Sequence, residues 1–240
     1  MTNMTTVDLF AIGNALIDQE FKVSNEFLTQ QALQKGTMQL TDGETQAALY
    51  QQLQDTQNYK GQASGGSAAN TTVAFSALGG TAFYGCRVGN DDLGSIYLNG
   101  LNEAGIKTAA QSISEGVTGT CMVLISPDSE RTMHTYLGIT AELTAEQIDF
   151  EPLKAAKWLY IEGYLSTSDT ARVAVKQARE LAKAHGVKIA LSLSDPAMVQ
   201  YARQGLEELL DDGVDLLFCN EQEALMFSNT ETLDAAIEVL

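Results

Sequence analysis

Two short polar segments hold the residues of this chain whose types and spacing could do chemistry. Gly13-Asn14-Ala15-Leu16-Ile17-Asp18 follows an apolar run, and Ser64-Gly65-Gly66-Ser67-Ala68-Ala69-Asn70 stands at the mouth of an Ala-rich helix. Each sets short polar side chains beside a chain reversal, Asn14 and Asp18 in the first and Asn70 in the second. The paired glycines Gly65 and Gly66 let backbone N–H groups come close to a ligand. A carboxylate, amides and free N–H groups in this pattern suit a molecule rich in hydroxyls, such as a sugar, rather than a metal ion. A third segment, Asn220-Glu221-Gln222-Glu223, leaves two readings open. It is either a ligand-facing pair or the reciprocal cap of a helix start, which needs no ligand. The two histidines, His134 and His185, are far apart in the chain, and His185 ahead of Gly186 suits a helix C-terminus. Cys86, Cys121 and Cys219 have no histidine or basic cluster beside them and read as packing residues.

Those segments need a frame, and the composition bounds it. The chain has 240 residues, 45% of them hydrophobic, enough to bury a sizeable core as a single domain. Its 14 basic residues against 31 acidic ones give a formal charge of -17. With so few, scattered Lys and Arg, neither a nucleic acid nor an anionic membrane is an expected partner. Three cysteines without CxxC spacing favour a reducing, cytoplasmic setting over a disulfide framework. Residues 1–6 carry no basic stretch ahead of the apolar run, so no secretory leader is expected. No apolar run reaches the ~18 residues of a membrane span.

Strand-like and helix-like segments alternate, as expected of βα units around a mostly parallel sheet. Strands are predicted over 7–12, 81–88, 158–161, 187–193 and 214–218. Helices are predicted over 66–78, 91–104 and 169–185, from a capping box Thr41-Asp42-Gly43-Glu44 through about 53, and from Pro196 and Glu221 onward. Thr120 to Ser126 and Arg131 to Leu137, flanking Pro127-Asp128-Ser129-Glu130, read as a hairpin. The apolar face Leu233, Ala236, Ile237 and Leu240 runs to the last residue. A helix after a parallel strand leads back to another strand, so the fold is expected to be incomplete at its C-terminus.

The chain resembles the ribokinase-like, phosphofructokinase B-type carbohydrate and nucleoside kinases, and among them the adenosine kinases. The resemblance rests on the Gly13 to Asp18 segment; Gly65 to Asn70 with Ala77-Leu78-Gly79-Gly80; and Gly85-Cys86-Arg87-Val88-Gly89 with Asp91 and Gly94. It continues in Thr118-Gly119-Thr120-Cys121, Tyr160-Ile161-Glu162-Gly163-Tyr164, Leu191 to Pro196, and Val214-Asp215 through Asn220 to Ala224. One glycine motif would be weak evidence; this set in the family's order is strong. It implies a three-layer α/β/α fold with a mostly parallel central sheet and a small β-sheet lid, its strands near 18–23 and 118–137. It also implies transfer of the ATP γ-phosphoryl group, with Mg²⁺, to a primary hydroxyl, the ribose 5'-hydroxyl in the adenosine-kinase branch.

Carried over by position, the resemblance puts substrate contacts at Asp18 and Asn70, with Asn14 alongside and Gly65 and Gly66 as close-approach backbone. Arg131 matches a lid arginine that reaches the transferred phosphate, with a solvated surface charge as the other reading. Asn220 and Glu223 match a motif that arranges Mg²⁺ through water. The family's Gly-Ala-Gly-Asp segment, whose Asp is the general base, does not occur in these residues. No catalytic residue is therefore assigned, and that base is expected beyond Leu240. Three functions follow: a nucleoside kinase, a free-sugar kinase such as a ribokinase or fructokinase, or, for these 240 residues alone, a non-catalytic nucleoside- or sugar-binding protein. A monomer and a lid-mediated homodimer both fit the resemblance.

Overall fold

The computed structural model describes residues 7–54, 58–211 and 213–240. The reading of residues 1–6 as lacking a leader lies outside the described residues. In chain order the strands are β1 (Leu9–Ile12), β2 (Leu16–Lys22), β3 (Met38–Leu40), β4 (Tyr59–Gly65), β5 (Ala82–Gly85), β6 (Val88–Gly89), β7 (Lys107–Thr108), β8 (Ile113–Ser114), β9 (Thr118–Ile125), β10 (Arg131–Gly138), β11 (Trp158–Glu162), β12 (Lys188–Ser192) and β13 (Leu216–Phe218). The helices are α1 (Asn25–Gln30), α2 (Gly43–Gln54), α3 (Ser67–Ala77), α4 (Asp92–Glu103), α5 (Asp169–Ala184), α6 (Pro196–Tyr201), α7 (Arg203–Leu210), α8 (Glu221–Ser228) and α9 (Leu233–Val239).

The central sheet has the order β13-β12-β11-β1-β5-β7, and every pairing in it is parallel. Alternation along β1 divides the core. Phe10 and Ile12 join Leu159, Ile161, Ile189 and Leu191 beneath α5 and α7, whose Ala171, Ala174, Val175, Ala178, Leu206 and Leu209 are buried there. Leu9 and Ala11 point the other way, to Ala68 and Ala69 of α3 and Tyr97 and Leu101 of α4. The result is three layers, α/β/α. Chain order reverses at β1, which has β5 on one side and β11 on the other, so a crevice opens beyond the carboxyl ends of β1 and β11.

A second sheet, β3-β10-β9-β2-β4, stands over that crevice. Its β9–β10 hairpin is antiparallel, with Arg131 opposite Ile125. One face is covered by α1 and α2, where Phe21, Val23, Met122 and Leu124 pack on Leu28, Leu49 and Leu53. The other face carries Leu16, Asp18 and Cys121 toward the central sheet. Its outer strands β3 and β4 go beyond the predicted hairpin and Asp18 to Val23 segment. Among the described residues, no helix is long and apolar enough to cross a membrane. All three cysteines are free, Cys86 and Cys121 buried and Cys219 exposed.

The predicted elements recur with local corrections. The strand expected over 81–88 is two strands in different sheets, parted at Cys86-Arg87. The helix from Pro196 breaks at Ala202 into α6 and α7. The cap of α2 is Asp42, not Thr41: Thr45 N–H donates to Asp42 Oδ1 at 2.8 Å and Thr45 Oγ1–H to Oδ2 at 2.8 Å. Asp91 caps α4, accepting from Gly94 N at 2.7 Å, and His185 closes α5 with Nδ1 3.0 Å from Leu181 O.

Candidate substrate site

The crevice between the two sheets holds a cavity of about 170 Å³. Asn14, Asp18, Gly66, Asn70 and Arg131 line it together, although they come from the β1–β2 connection, β2, the turn after β4, α3 and β10. Glu162 and Ser67 complete the polar side. Leu16, Met38, Leu40, Met133, Leu137 and Met198 form an apolar wall. Thus one cavity carries both polar and apolar lining.

Backbone geometry fixes the polar lining. Asp18 pairs in register with Ala63 of β4 and Cys121 of β9, which sets its side chain on the cavity face. Gly65 does not line the cavity but makes room in it: a Cβ there would lie 2.3 Å from Asp18 Cγ. Gly66 turns the chain into α3 at φ +96°, a left-handed value costly for any side chain. Asn70, one turn into α3, lines the same cavity as Asp18. Neither the Asp18 nor the Asn70 side chain has a hydrogen-bond partner among the described residues.

Burial raises the Asp18 carboxyl to about 6, against the pull of Arg131 and with a smaller push from Glu20. With that value it is mostly ionised at neutral pH and mostly protonated about one unit below 6, and it can accept from hydroxyls once ionised. Burial also pushes the Cys121 thiol up to about 12, so it packs as a neutral group. The Tyr164 phenol is raised by burial and by Asp195, Glu162 and Glu223.

Asn14 sits on the cavity wall, but its side chain is already engaged. Its Nδ2 donates to Glu162 Oε1 at 2.8 Å, and its Oδ1 accepts from Thr140 Oγ1 at 3.3 Å. Only 5% exposed, Asn14 is a wall residue held by other groups, not a free contact. Glu162 is the polar residue that sequence reasoning passed over. Its signal was an acid closing the otherwise apolar run Trp158-Leu159-Tyr160-Ile161.

Asn220 and Glu223 do not line this cavity. Glu223 N–H donates to Asn220 Oδ1 at 2.8 Å, while Asn220 N–H and Nδ2 donate to Glu223 Oε2 and Oε1 at 3.1 and 2.7 Å. The pair is a complete capping box for α8. Burial and Asp195 raise the Glu223 carboxyl. No cluster of three or more His, Cys, Asp or Glu able to hold a metal ion exists among the described residues. Direct coordination of Mg²⁺ by this pair does not fit its geometry; a water-mediated contact from Glu223's remaining lone pairs does.

A parallel α/β/α sandwich with a cavity under a second sheet has the ribokinase-like architecture. The chain belongs to the pfkB family of carbohydrate kinases, whose model it matches over residues 37–240. It is 28% identical over 220 residues to guanosine-inosine kinase of Escherichia coli strain K12, covering 89% of this chain and 51% of that one. It is 29% identical over 239 residues to adenosine kinase of Saccharomyces cerevisiae, covering 96% of this chain and 68% of that one. The crystal structure of adenosine kinase from Sinorhizobium meliloti superposes with a TM-score of 0.88 at 34% identity, over 98% of this chain and 71% of that chain. The chain thus spans about half the length of the first of these relatives.

Proposed function

We propose that this chain forms the acceptor-binding part of an ATP-dependent kinase acting on the primary 5'-type hydroxyl of a nucleoside such as adenosine. The mixed polar and apolar lining of the cavity carries this reading. Ribose hydroxyls suit Asp18 and Asn70, whose side chains have no hydrogen-bond partner among the described residues, and a flat base suits the apolar lining of Leu16, Met38, Leu40, Met133 and Leu137. A free hexose or pentose carries hydroxyls all round and would set some of them against that wall unpaired, which is costly. Similarity to kinases of adenosine and of guanosine and inosine supports the same reading.

Within this proposal Asp18 accepts from the vicinal hydroxyls and Asn70 orients the sugar. Arg131, at the cavity mouth on β10, offsets charge on the phosphoryl group. The second sheet acts as a lid that keeps water from competing as acceptor. ATP supplies the phosphoryl group when bound, and Mg²⁺ its charge neutralisation, reached from Glu223 through water. The chain's residues include no Gly-Ala-Gly-Asp base, so we infer binding without turnover for these 240 residues by themselves. The unpaired cysteines support a cytoplasmic setting, and the proposed partners are the nucleoside and ATP, as a monomer or a dimer formed through the lid.

Titration calorimetry of the 240-residue chain with adenosine, ribose and fructose tests the reading. The expected order is adenosine well ahead of either sugar. Binding of a free sugar alone would transfer the assignment to a sugar kinase.

A further inference from the structure

The mechanism proposed above leaves Glu162 without a task, yet it is among the most completely engaged side chains in the molecule. It ends β11 at 0% exposure, on the crevice where the chain order of the central sheet reverses. Its Oε1 accepts from Asn14 N at 2.6 Å and Asn14 Nδ2 at 2.8 Å. Its Oε2 accepts from Ser67 Oγ at 2.8 Å and Ala68 N at 2.9 Å. Three of the four partners are N–H groups and the fourth is a hydroxyl, a set that suits the ionised carboxylate and opposes the upward push that full burial gives its pKa. The four bonds occupy the roughly four lone-pair sites a carboxylate offers, which leaves it no spare acceptor for a substrate hydroxyl. Glu162 therefore acts through other residues.

What it joins are the two segments from which the polar lining of the cavity is built. The loop holding Asn14 leads directly into β2 and Asp18, and the first turn of α3 leads to Asn70. Gly66, at the N-cap of α3, supplies no side-chain hydrogen bond. Glu162 provides that cap from a distant strand, with a negative charge at the positive end of the helix. The network continues through Asn14: Ala15 N–H donates to Thr140 Oγ1 at 3.1 Å, just past the end of the β10 strand.

We propose that Glu162 is the positioning residue of the acceptor site, clamping the loop after β1 to the start of α3 so that Asp18 and Asn70 are held at a fixed separation. This rests on the reading of the cavity as an acceptor site.

Glu162→Gln tests it, because the amide keeps the shape and puts an NH₂ against one pair of donors. Two readouts on the full 240-residue chain separate the possibilities. First, hydrogen exchange of the Asn14 and Ala68 amides should quicken by at least about tenfold, as two bonds are lost; unchanged exchange overturns the clamp. Second, adenosine affinity measured well below the melting temperature should fall by about 10- to 100-fold. Adding Asn14→Ala to the Gln variant should then cause little further loss, because the two residues act as one unit. A lowered melting temperature with wild-type adenosine affinity would make Glu162 merely structural and overturn the proposal. If the Gln variant does not fold, Ser67→Ala carries the test: a roughly three- to tenfold loss of affinity is expected, and none overturns it. A wild-type chain that binds no adenosine, ribose or fructose refutes the acceptor-site reading instead, while the exchange rates still decide whether Glu162 pins the two segments.

Discussion

The mouth of the central cavity and the start of α8 use the same vocabulary, an asparagine and an acid, and put it to opposite use. At α8 the Asn220 and Glu223 side chains bond to each other and to each other's backbone, so the local chain consumes its own polar groups. In the cavity Asp18 and Asn70 come from separate elements, line one space and have no such partners among the described residues. Asn14 falls between, lining the cavity while spending its side chain on Glu162 and Thr140. A motif match therefore has to be followed to the individual lone pair. What is left unpaired after folding is what remains for a ligand.

The contrast can be broken at its strongest point. Asp18→Ala should lower adenosine affinity by about 2–4 kcal/mol, the loss of charge-assisted hydrogen bonds to two hydroxyls, as read by calorimetry. Wild-type affinity in that variant would remove Asp18 from the site. Acidity gives a smaller effect. With its carboxyl at about 6 in the folded chain against 3.8 as the ordinary value, Asp18 is ionised for hydroxyl binding only above that range. Affinity should rise about tenfold from pH 5 to pH 7. Stability moves the other way: between those two values the folded state binds more protons than the unfolded one. The contribution of Asp18 is thus full below 3.8 and lost as pH rises through about 6. Asp18→Asn should flatten both trends, which paired calorimetry and thermal melts would record. The smallest effect belongs to the other region. Asn220→Ala should cost about 1 kcal/mol of stability, the worth of a lost cap, and leave adenosine affinity within about twofold. A tenfold loss there would erase the distinction between the two regions.

The sequence made the layered fold legible because β1, β11, β12 and α5 carry clean apolar patterns. The second sheet was only half visible. β3 is three residues long, and β4 reads Tyr-Lys-Gly-Gln-Ala-Ser-Gly, a polar strand at a sheet edge whose only marking is its pairing with β2. The site was legible where glycines and short polar residues cluster, hence Asp18, Gly65, Gly66 and Asn70. It was not legible at Glu162, which binds residues 148 and 94 positions earlier in the chain. No local pattern encodes a side chain whose work is done at such separation. The α8 motif stays double in the fold as in the chain, since its spacing describes a cap and a ligand pair equally well; the folded geometry completes the cap and leaves a water-mediated role for Glu223 as a proposal.

Gly65 has a consequence for how this cavity could be altered. The Asp18 carboxylate rests in the volume that any larger residue at position 65 would fill, so that position of β4 is closed to variation. Retuning which molecules enter is left to the apolar lining, where Met38, Leu40, Met133 and Leu137 present replaceable aliphatic surface. A designer seeking to change what the cavity admits would therefore vary Met38, Leu40, Met133 and Leu137 on β3 and β10 and leave Gly65 as it is.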